Sequence, residues 1–153
     1  MGIVLSSRGG YLLDTNHLGV VTTTTAVRRR LMDLRRSGAR IGTCVPVLCE
    51  LEAGIQQVRN PARSRQQLDR MLHQISVWPI DRTTAQIYGE LYTDLRRRGR
   101  VLSQVDIMLA SLARQMDLTL VTTDLDFEAL PDLKRENWVI PDPGSTTPPA
   151  PAP

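Results

Sequence analysis

The chain has 153 residues, a length typical of one domain with a buried core of its own. Apolar residues make up 41% of it and charged residues 23%, fractions that exclude a disordered chain. No apolar run approaches the roughly 20 residues that cross a bilayer, and residues 1–10 lack the apolar core of a secretory signal. We therefore expect a cytoplasmic protein that does not associate with membranes.

The net charge of +3 rests on arginine, because 18 of the 19 basic residues are Arg and only Lys134 is lysine. Three arginine clusters occur, at residues 28–30, 35–36 and 96–98. The planar fork of donors on arginine suits phosphate groups, so these clusters are compatible with an RNA or DNA partner. Solvated helix faces and nucleotide bias in a genome give the same pattern, and both explanations stay open.

The two cysteines, Cys44 and Cys49, lie five residues apart with no histidine nearby. This spacing fits neither a zinc site nor a disulfide framework. We interpret both as small buried hydrophobic residues of a protein in a reducing compartment.

The pattern of apolar residues predicts strands that alternate with helices along the chain. The strands are predicted over residues 11–13, 40–45, 77–80, 118–123 and 137–140. The helices are predicted over residues 22–37, 46–58, 61–74, 81–98 and 103–116. We therefore expect an α/β fold in which helices flank a central, mostly parallel sheet of four to five strands.

Composition divides the chain into three parts. Residues 1–10 form an amino-terminal lead-in, and residues 11–140 hold all of the predicted elements. From Pro141 onward the sequence is rich in Pro, Gly, Ser and Thr, and such a segment cannot bury a core. We expect residues 141–153 to be a disordered tail.

Two of the predicted strands are followed at their ends by aspartates, Asp14 after the first strand and Asp124 after the fourth. Ligands of open α/β sheets bind in the crevice beyond the carboxyl ends of parallel strands. Both carboxylates are therefore predicted to face one crevice. Taken alone, Asp14 is equally well explained as a helix cap, and Asp124 as a turn residue.

Two further acids lie near the starts of predicted helices. Glu50 is beside an apolar stripe, where a carboxylate costs several kcal/mol unless something neutralises it. An exposed flank of the helix, or a pairing with an arginine, would also account for Glu50. Ser103-x-x-Asp106 resembles a capping box, in which the acid satisfies a backbone donor. A capping role and a ligand role are compatible for Asp106, so this residue alone decides nothing.

Four carboxylates that met in one crevice without a counter-charge would repel one another, and some would have to bind protons. Divalent cations resolve this conflict, and hard oxygen ligands in this number select Mg²⁺ or Mn²⁺. Such ions activate water and neutralise charge on a phosphodiester. The set therefore indicates metal-dependent hydrolysis of phosphate esters, and no catalytic role is expected for His17 or His73.

Four motifs resemble, in order and spacing, those of the PIN-domain ribonucleases. They are Asp14-Thr15-Asn16, Glu50-Leu51-x-x-Gly54, Asp106-x-x-x-Ala110, and Leu120-Val121-Thr122-Thr123-Asp124 with Asp126-Phe127. The closing segment, residues 133–138, is also similar to the end of such proteins. Within the family, the chain is most similar to the VapC toxins of bacterial toxin–antitoxin modules. The likeness covers roughly residues 11–140.

The resemblance implies a three-layer PIN-like fold and a metal-dependent endoribonuclease, with Mg²⁺ or Mn²⁺ as cofactor. The acids that it assigns to metal binding and catalysis are Asp14, Glu50, Asp106 and Asp124. It assigns auxiliary roles to Asp126 as a further acid, Thr122 as an orienting hydroxyl, and Asn16 as an anchor for the Asp14 loop. The implied partners are an RNA substrate, a cognate antitoxin and a second copy of the chain in a homodimer.

Other readings of the same acids are a silent module and a different magnesium enzyme. A catalytically silent PIN-like module that binds RNA or protein would be expected to lack one of the acids, and all four are present. A phosphatase with an aspartyl nucleophile needs a second acid two residues after Asp14, where the chain has Asn16. A phosphoacceptor receiver domain needs a lysine after a late strand, and Lys134 lies too far along the chain.

Overall fold

A computed structural model describes residues 9–21 and 24–139, and its centre is a five-stranded sheet. The strands are β1 (Gly10–Leu13), β2 (Arg40–Cys44), β3 (Ser76–Trp78), β4 (Leu118–Val121) and β5 (Arg135–Glu136). Their order is β3-β2-β1-β4-β5, and every neighbouring pair is parallel. The predicted α/β fold with a parallel sheet is confirmed.

Six α-helices and one short 3₁₀-helix connect the strands within the described residues. The α-helices are α1 (Thr15–Val21), α2 (Thr25–Arg36), α3 (Val45–Ile55), α4 (Pro61–Leu72), α5 (Arg82–Arg97) and α6 (Gln104–Met116). The 3₁₀-helix is Leu125–Ala129. None of these helices combines the length and the apolar character that crossing a bilayer requires.

The strand order creates a switch point between β1 and β4. From β1 the chain builds outward through β2 to β3, and it then returns to the other side of β1 to add β4 and β5. In an open parallel sheet, the crevice forms beyond the carboxyl ends of the two strands where the order reverses. Residues that directly follow β1 and β4 are therefore placed at that crevice.

The core is formed by the central strands and the helix faces that cover them. Leu12 and Leu13 of β1 and Leu120 and Val121 of β4 are fully buried, as expected for strands covered on both faces. At the β2–β3 pair the backbones approach closely at Gly42, where a Cβ would lie 2.6 Å from the Ser76 carbonyl oxygen. A side chain at that position would push β3 away from the sheet.

The largest difference from the predicted elements follows Asp14. One helix was expected over residues 22–37, whereas α1 begins at Thr15, one residue after β1, and α2 begins at Thr25. The sequence of α1 includes a glycine and two valines, which are weak helix formers. Burial of Leu18 in the core stabilises α1 in spite of that weak propensity.

The end of the domain also differs from the prediction. A strand was expected over residues 137–140, but β5 is Arg135–Glu136, which pairs with Leu120 and Val121. Trp138 instead packs its ring into the core. Residue 140, the predicted tail at 141–153 and residues 1–8 of the predicted lead-in lie outside the described residues. Gly10 of that lead-in already belongs to the sheet.

Candidate active site

The carboxyl ends of β1 and β4 are joined by backbone and side-chain hydrogen bonds. Asp14 directly follows β1, and its backbone N–H donates to the Val121 carbonyl at 3.0 Å. This bond continues the pairing of β1 with β4 by one residue. Thr122 and Asp124 follow β4 and therefore lie beside Asp14.

The Asp14 carboxylate is held from both sides in a buried position. Its Oδ1 accepts the Thr15 backbone N–H at 2.6 Å, and its Oδ2 accepts the Thr122 hydroxyl at 2.8 Å. Only 6% of Asp14 is exposed. Burial raises the pKa of this carboxyl; the two hydrogen bonds lower it, and the charges of Glu50 and Asp124 raise it further. The net effect is a raised pKa, so the ionised form is disfavoured at this position.

Thr122 links Asp14 to Asp124. The Thr122 hydroxyl donates to Asp14 and accepts the Asp124 backbone N–H at 3.0 Å. The Asp124 Oδ1 in turn accepts the Asp126 backbone N–H at 2.8 Å and caps the 3₁₀-helix. Asp124 is half-buried, whereas the Asp126 side chain is exposed. The turn after β4 is thus fixed by its own side chains.

Asp106 enters the same region from the first turn of α6. Ser103 caps this helix, because its hydroxyl accepts the Asp106 backbone N–H at 3.1 Å. Burial raises the pKa of the Asp106 carboxyl, interaction of the carboxyl with the Ser103 side chain lowers it, and repulsion from Asp14, Asp124 and Glu50 raises it. All three other acids therefore lie within electrostatic range of Asp106.

Glu50 belongs to α3, which begins directly after β2. The Glu50 side chain is exposed, and its Oε2 accepts the Thr15 hydroxyl at 2.7 Å. Of the alternatives that the sequence left open for Glu50, the structure favours the exposed flank of the helix over burial beside the apolar stripe. The bond to Thr15 turns Glu50 toward the residue that follows Asp14.

The four carboxylates, which we call the acidic cluster (Asp14, Glu50, Asp106 and Asp124), have no basic partner within the described residues. All ion pairs there involve other acids. The named charges that act on Asp14 and Asp106 are all carboxylates. Oxygen donors that repel one another suit a hard divalent cation.

The acidic cluster fits a metal in charge and donor type, but its ligand positions are not assembled. Among the described residues, no three His, Cys, Asp or Glu side chains lie close enough together to hold a metal ion. A cation bound here would therefore require side chains to rotate inward. The exposed Glu50 and the half-buried Asp106 and Asp124 have more room to rotate than Asp14.

The sequence profile of the PIN domain matches residues 11–133. The chain belongs to the PIN domain family. The resemblance inferred from the four motifs is thereby confirmed, and the fold described above is that of a PIN domain.

Two relatives of this PIN domain are named nucleases. Ribonuclease VapC2 of Rickettsia felis is 31% identical over 130 residues, which are 84% of this chain and 97% of the relative. The tRNA(fMet)-specific endonuclease VapC of Shigella flexneri is 28% identical over 130 residues, with coverage of 84% and 97%.

Among solved structures, the crystal structure of VapBC2 from Rickettsia felis bound to a promoter DNA fragment contains a chain that is similar to this one. The TM-score is 0.78 and the sequence identity is 27%. The match covers 84% of this chain and 98% of that chain.

In this PIN domain, a series of hydrogen bonds runs from Trp138 through His17 and Asn16 to the turn after β4. The Asn16 Oδ1 accepts the Thr123 backbone N–H at 3.3 Å and lies 2.9 Å from His17 Nδ1. The His17 Nε2 lies 3.0 Å from the Trp138 backbone nitrogen, which donates to it. Because Nε2 must accept that proton, the neutral ring carries its own proton on Nδ1 and donates to Asn16.

Sequence reasoning missed this role of His17. The side chain is 0% exposed, and burial lowers its pKa to about 4. His17 is therefore a neutral, buried link between Trp138 and Asn16 rather than a proton donor to a substrate. The signal in the sequence was only its position three residues after Asp14, which is not specific.

The two cysteines differ from each other. Cys44 is buried at the end of β2, and burial raises the pKa of its thiol to about 11. Cys49 is exposed on α3, so the prediction of two buried cysteines is wrong for Cys49. The described structure contains both as free thiols.

Proposed function

We propose that this PIN domain is a metal-dependent endoribonuclease and the toxin of a toxin–antitoxin pair in the cytoplasm. The observation that supports the proposal most is the acidic cluster, whose carboxylates lie within electrostatic range of Asp14 and Asp106, without a basic partner among the described residues, at the switch point of a PIN fold. The two relatives named as a ribonuclease and a tRNA(fMet)-specific endonuclease support the choice of RNA as substrate.

The proposed roles follow from how each side chain is held. Asp14, Glu50, Asp106 and Asp124 would hold Mg²⁺ or Mn²⁺. A bound cation would neutralise phosphate charge and lower the pKa of a nearby water molecule. Asp14 is the fixed ligand, because both of its oxygens already have hydrogen-bond donors. Glu50, Asp106 and Asp124 would supply the remaining ligands and would have to rotate inward to do so.

Three side chains outside the acidic cluster have auxiliary roles in the proposal. Thr122 orients the Asp14 Oδ2 through its hydroxyl, and Asn16 holds the turn at Thr123 against the Asp14 loop. Asp126, which is exposed two residues after Asp124, adds negative charge at the rim of the crevice. These roles are distinct from ligation by the acidic cluster.

The proposed substrate is single-stranded or looped RNA, because its backbone is accessible to a shallow acidic groove. The proposed partners are a cognate antitoxin and a second copy of the chain. The VapBC2 complex among the solved relatives supports the antitoxin. The homodimer rests on the family resemblance, and light scattering on the purified chain tests it.

The test of the function is an RNase assay with Mg²⁺ or Mn²⁺ on the wild type and the Asp14→Asn and Asp106→Asn variants. We expect each substitution to lower the cleavage rate by at least about 10²-fold and EDTA to abolish cleavage. Asp132→Asn is the matched control, because Asp132 is exposed and lies before β5, at the opposite edge of the sheet.

Two outcomes would contradict the proposed nuclease. Cleavage that survives both substitutions, or that is unaffected by EDTA, would exclude the acidic cluster as the catalytic site. RNA binding without cleavage by the wild type would instead support a catalytically silent PIN-like module. For the toxin role, we expect expression without a co-expressed antitoxin to arrest growth.

A further inference from the structure

The arginine-rich end of α5 lies beside the helix start that carries Asp106. The two helices run antiparallel, because Asp81 and Thr84 at the start of α5 bond to Gln115 at the end of α6. The last turn of α5 must therefore lie next to the first turn of α6. This arrangement places the arginine cluster at residues 96–98 at the same end of the helix pair as Asp106.

A cleft of about 240 Å³ separates the two helix ends. It is lined by residues of α5, of the connecting segment and of α6, which are Tyr92, Leu95, Arg96, Arg100, Val101, Leu102 and Ile107. Ile107 directly follows Asp106 in the first turn of α6, so the turn that carries Asp106 also forms part of the wall of the cleft. Val101 is 89% exposed, which is unusual for an apolar residue beside a charged site.

The positive charge in this cleft is not neutralised by neighbouring acids. Among the described residues, Arg96 and Arg100 have no carboxylate partner, whereas Arg98 pairs with Asp94 at 2.9 Å. The Arg96 guanidinium lies 5.1 Å from the centre of the Tyr92 ring, and its Nε donates to the Tyr92 hydroxyl at 3.0 Å. The ring thus holds the guanidinium plane in place.

The other arginine clusters are placed differently. Arg30 pairs with Glu136 at 2.7 Å and lies over the Trp138 ring, so its charge is neutralised within the chain. Arg35 and Arg36 end α2, four residues or so before β2 begins, and they therefore lie toward the opposite edge of the sheet from the acidic cluster.

We propose that the cleft between the end of α5 and the start of α6 binds the RNA strand beside the phosphate that is cleaved. This inference rests on the proposed nuclease function. The acidic cluster repels a polyanion, so cations next to it are needed to hold the strand. Arg96 and Arg100 contact two successive phosphates, and an unstacked base packs on the free face of the Arg96 guanidinium and on Val101.

The test measures binding of a fluorescein-labelled single-stranded oligoribonucleotide by the full chain carrying Asp14→Asn, so that no cleavage occurs. Arg96→Ala/Arg100→Ala in this background is expected to weaken binding about tenfold. The slope of log K against log salt should fall by about 1.4, the value for two lost contacts to a single strand. Arg35→Ala/Arg36→Ala removes the same charge elsewhere and should leave affinity and slope near those of the parent.

Arg96→Lys/Arg100→Lys separates charge from shape. Lysine retains the contact with phosphate but loses the planar face, so the salt slope should stay while affinity falls in part. Circular dichroism and the melting temperature of each variant show whether it folds. If the alanine variant does not fold, the lysine variant still tests the proposal. Intermediate affinity with an unchanged salt slope in the lysine variant would support it.

Three outcomes would overturn the RNA cleft. The first is equal RNA binding by the Arg96/Arg100 and Arg35/Arg36 alanine variants, and the second is no RNA binding by the Asp14→Asn parent. The third is that the Arg96/Arg100 alanine variant binds RNA as the parent does but no longer binds the antitoxin. The last would make the cleft a protein-binding surface. Absence of RNase activity in the wild type would contradict only the proposed nuclease, because the salt slope is measured without cleavage.

Discussion

The Asp14 carboxyl has a raised pKa in the folded chain, and this has a consequence for stability. As pH rises above the ordinary value of 3.8, the unfolded chain releases its proton before the folded chain does. Stability therefore falls through the window between the ordinary pKa and the raised one, and the deficit persists at neutral pH. The raised pKa of Asp14 therefore lowers the free energy of unfolding at neutral pH.

We expect Asp14→Asn to be more stable than the wild type at neutral pH in EDTA. Asparagine cannot ionise, so it removes the deficit, and the melting temperature should rise by about 2 °C or more. Differential scanning fluorimetry measures this, with Asp132→Asn as the exposed control. A melting temperature at or below that of the wild type would mean that the lost hydrogen bonds outweigh the relieved charge.

His17 gives a second prediction at the scale of one residue. Its pKa of about 4 lies below the ordinary 6.5, so between these values the unfolded chain binds a proton that the folded chain does not. Stability is therefore lost as pH falls through this window. We expect His17→Gln to lose less stability than the wild type between about pH 7 and about pH 5, as measured by urea unfolding. Parallel losses would show that His17 does not titrate in this way.

At the scale of elements, the cap of α6 connects helix stability to the position of Asp106. Ser103→Ala removes the hydroxyl that accepts the Asp106 backbone N–H, and it should destabilise the chain by about 1 kcal/mol. The expected change in melting temperature is a fall of about 2–4 °C.

The matched variant for this cap is Ser103→Asn, which supplies another N-cap acceptor. Asparagine should restore the melting temperature and most of the RNase activity. If Ser103→Ala is stable but inactive, the hydroxyl acts on the reaction directly rather than through the helix.

The elements that the sequence predicted well are those with strong local signals. The Asp81 cap and Gly99, with its positive φ of 65°, bound α5. The apolar runs of β1 and β4 form strands that are buried except at the half-buried Tyr11 and Thr119. The elements that the sequence missed depend on tertiary contacts. α1 forms because Leu18 is buried, and β5 forms because Leu120 and Val121 offer unpaired backbone groups to two charged residues.

The placement of the four acids of the candidate site was predictable, because they follow strand ends or lie in the first two turns of helices at one edge of the sheet. The hydrogen bonds that hold the acids and the neighbouring turns in place were not predictable. The bond between Thr15 and Glu50 spans 35 residues, and the one between His17 and Trp138 spans 121. No local pattern encodes contacts between such distant positions, so they emerge only from the fold.

At the scale of the whole molecule, a cation that binds only the folded chain adds to its stability by mass action. We expect Mg²⁺ at about 100 times its dissociation constant to stabilise the wild type by about 2.7 kcal/mol, seen as a higher melting temperature. Asp14→Asn and Asp106→Asn should lose most of this rise, whereas Asp132→Asn should keep it. An equal rise in all four proteins would place the cation outside the acidic cluster.

The link from Trp138 through His17 and Asn16 to Thr123 extends the site almost to the end of the described chain. A stop codon shortly before position 138 would leave every acid of the cluster in the product and still remove the amide that His17 accepts. In a genetic selection for cells that survive expression of this chain, such late nonsense alleles should appear alongside substitutions of the acids.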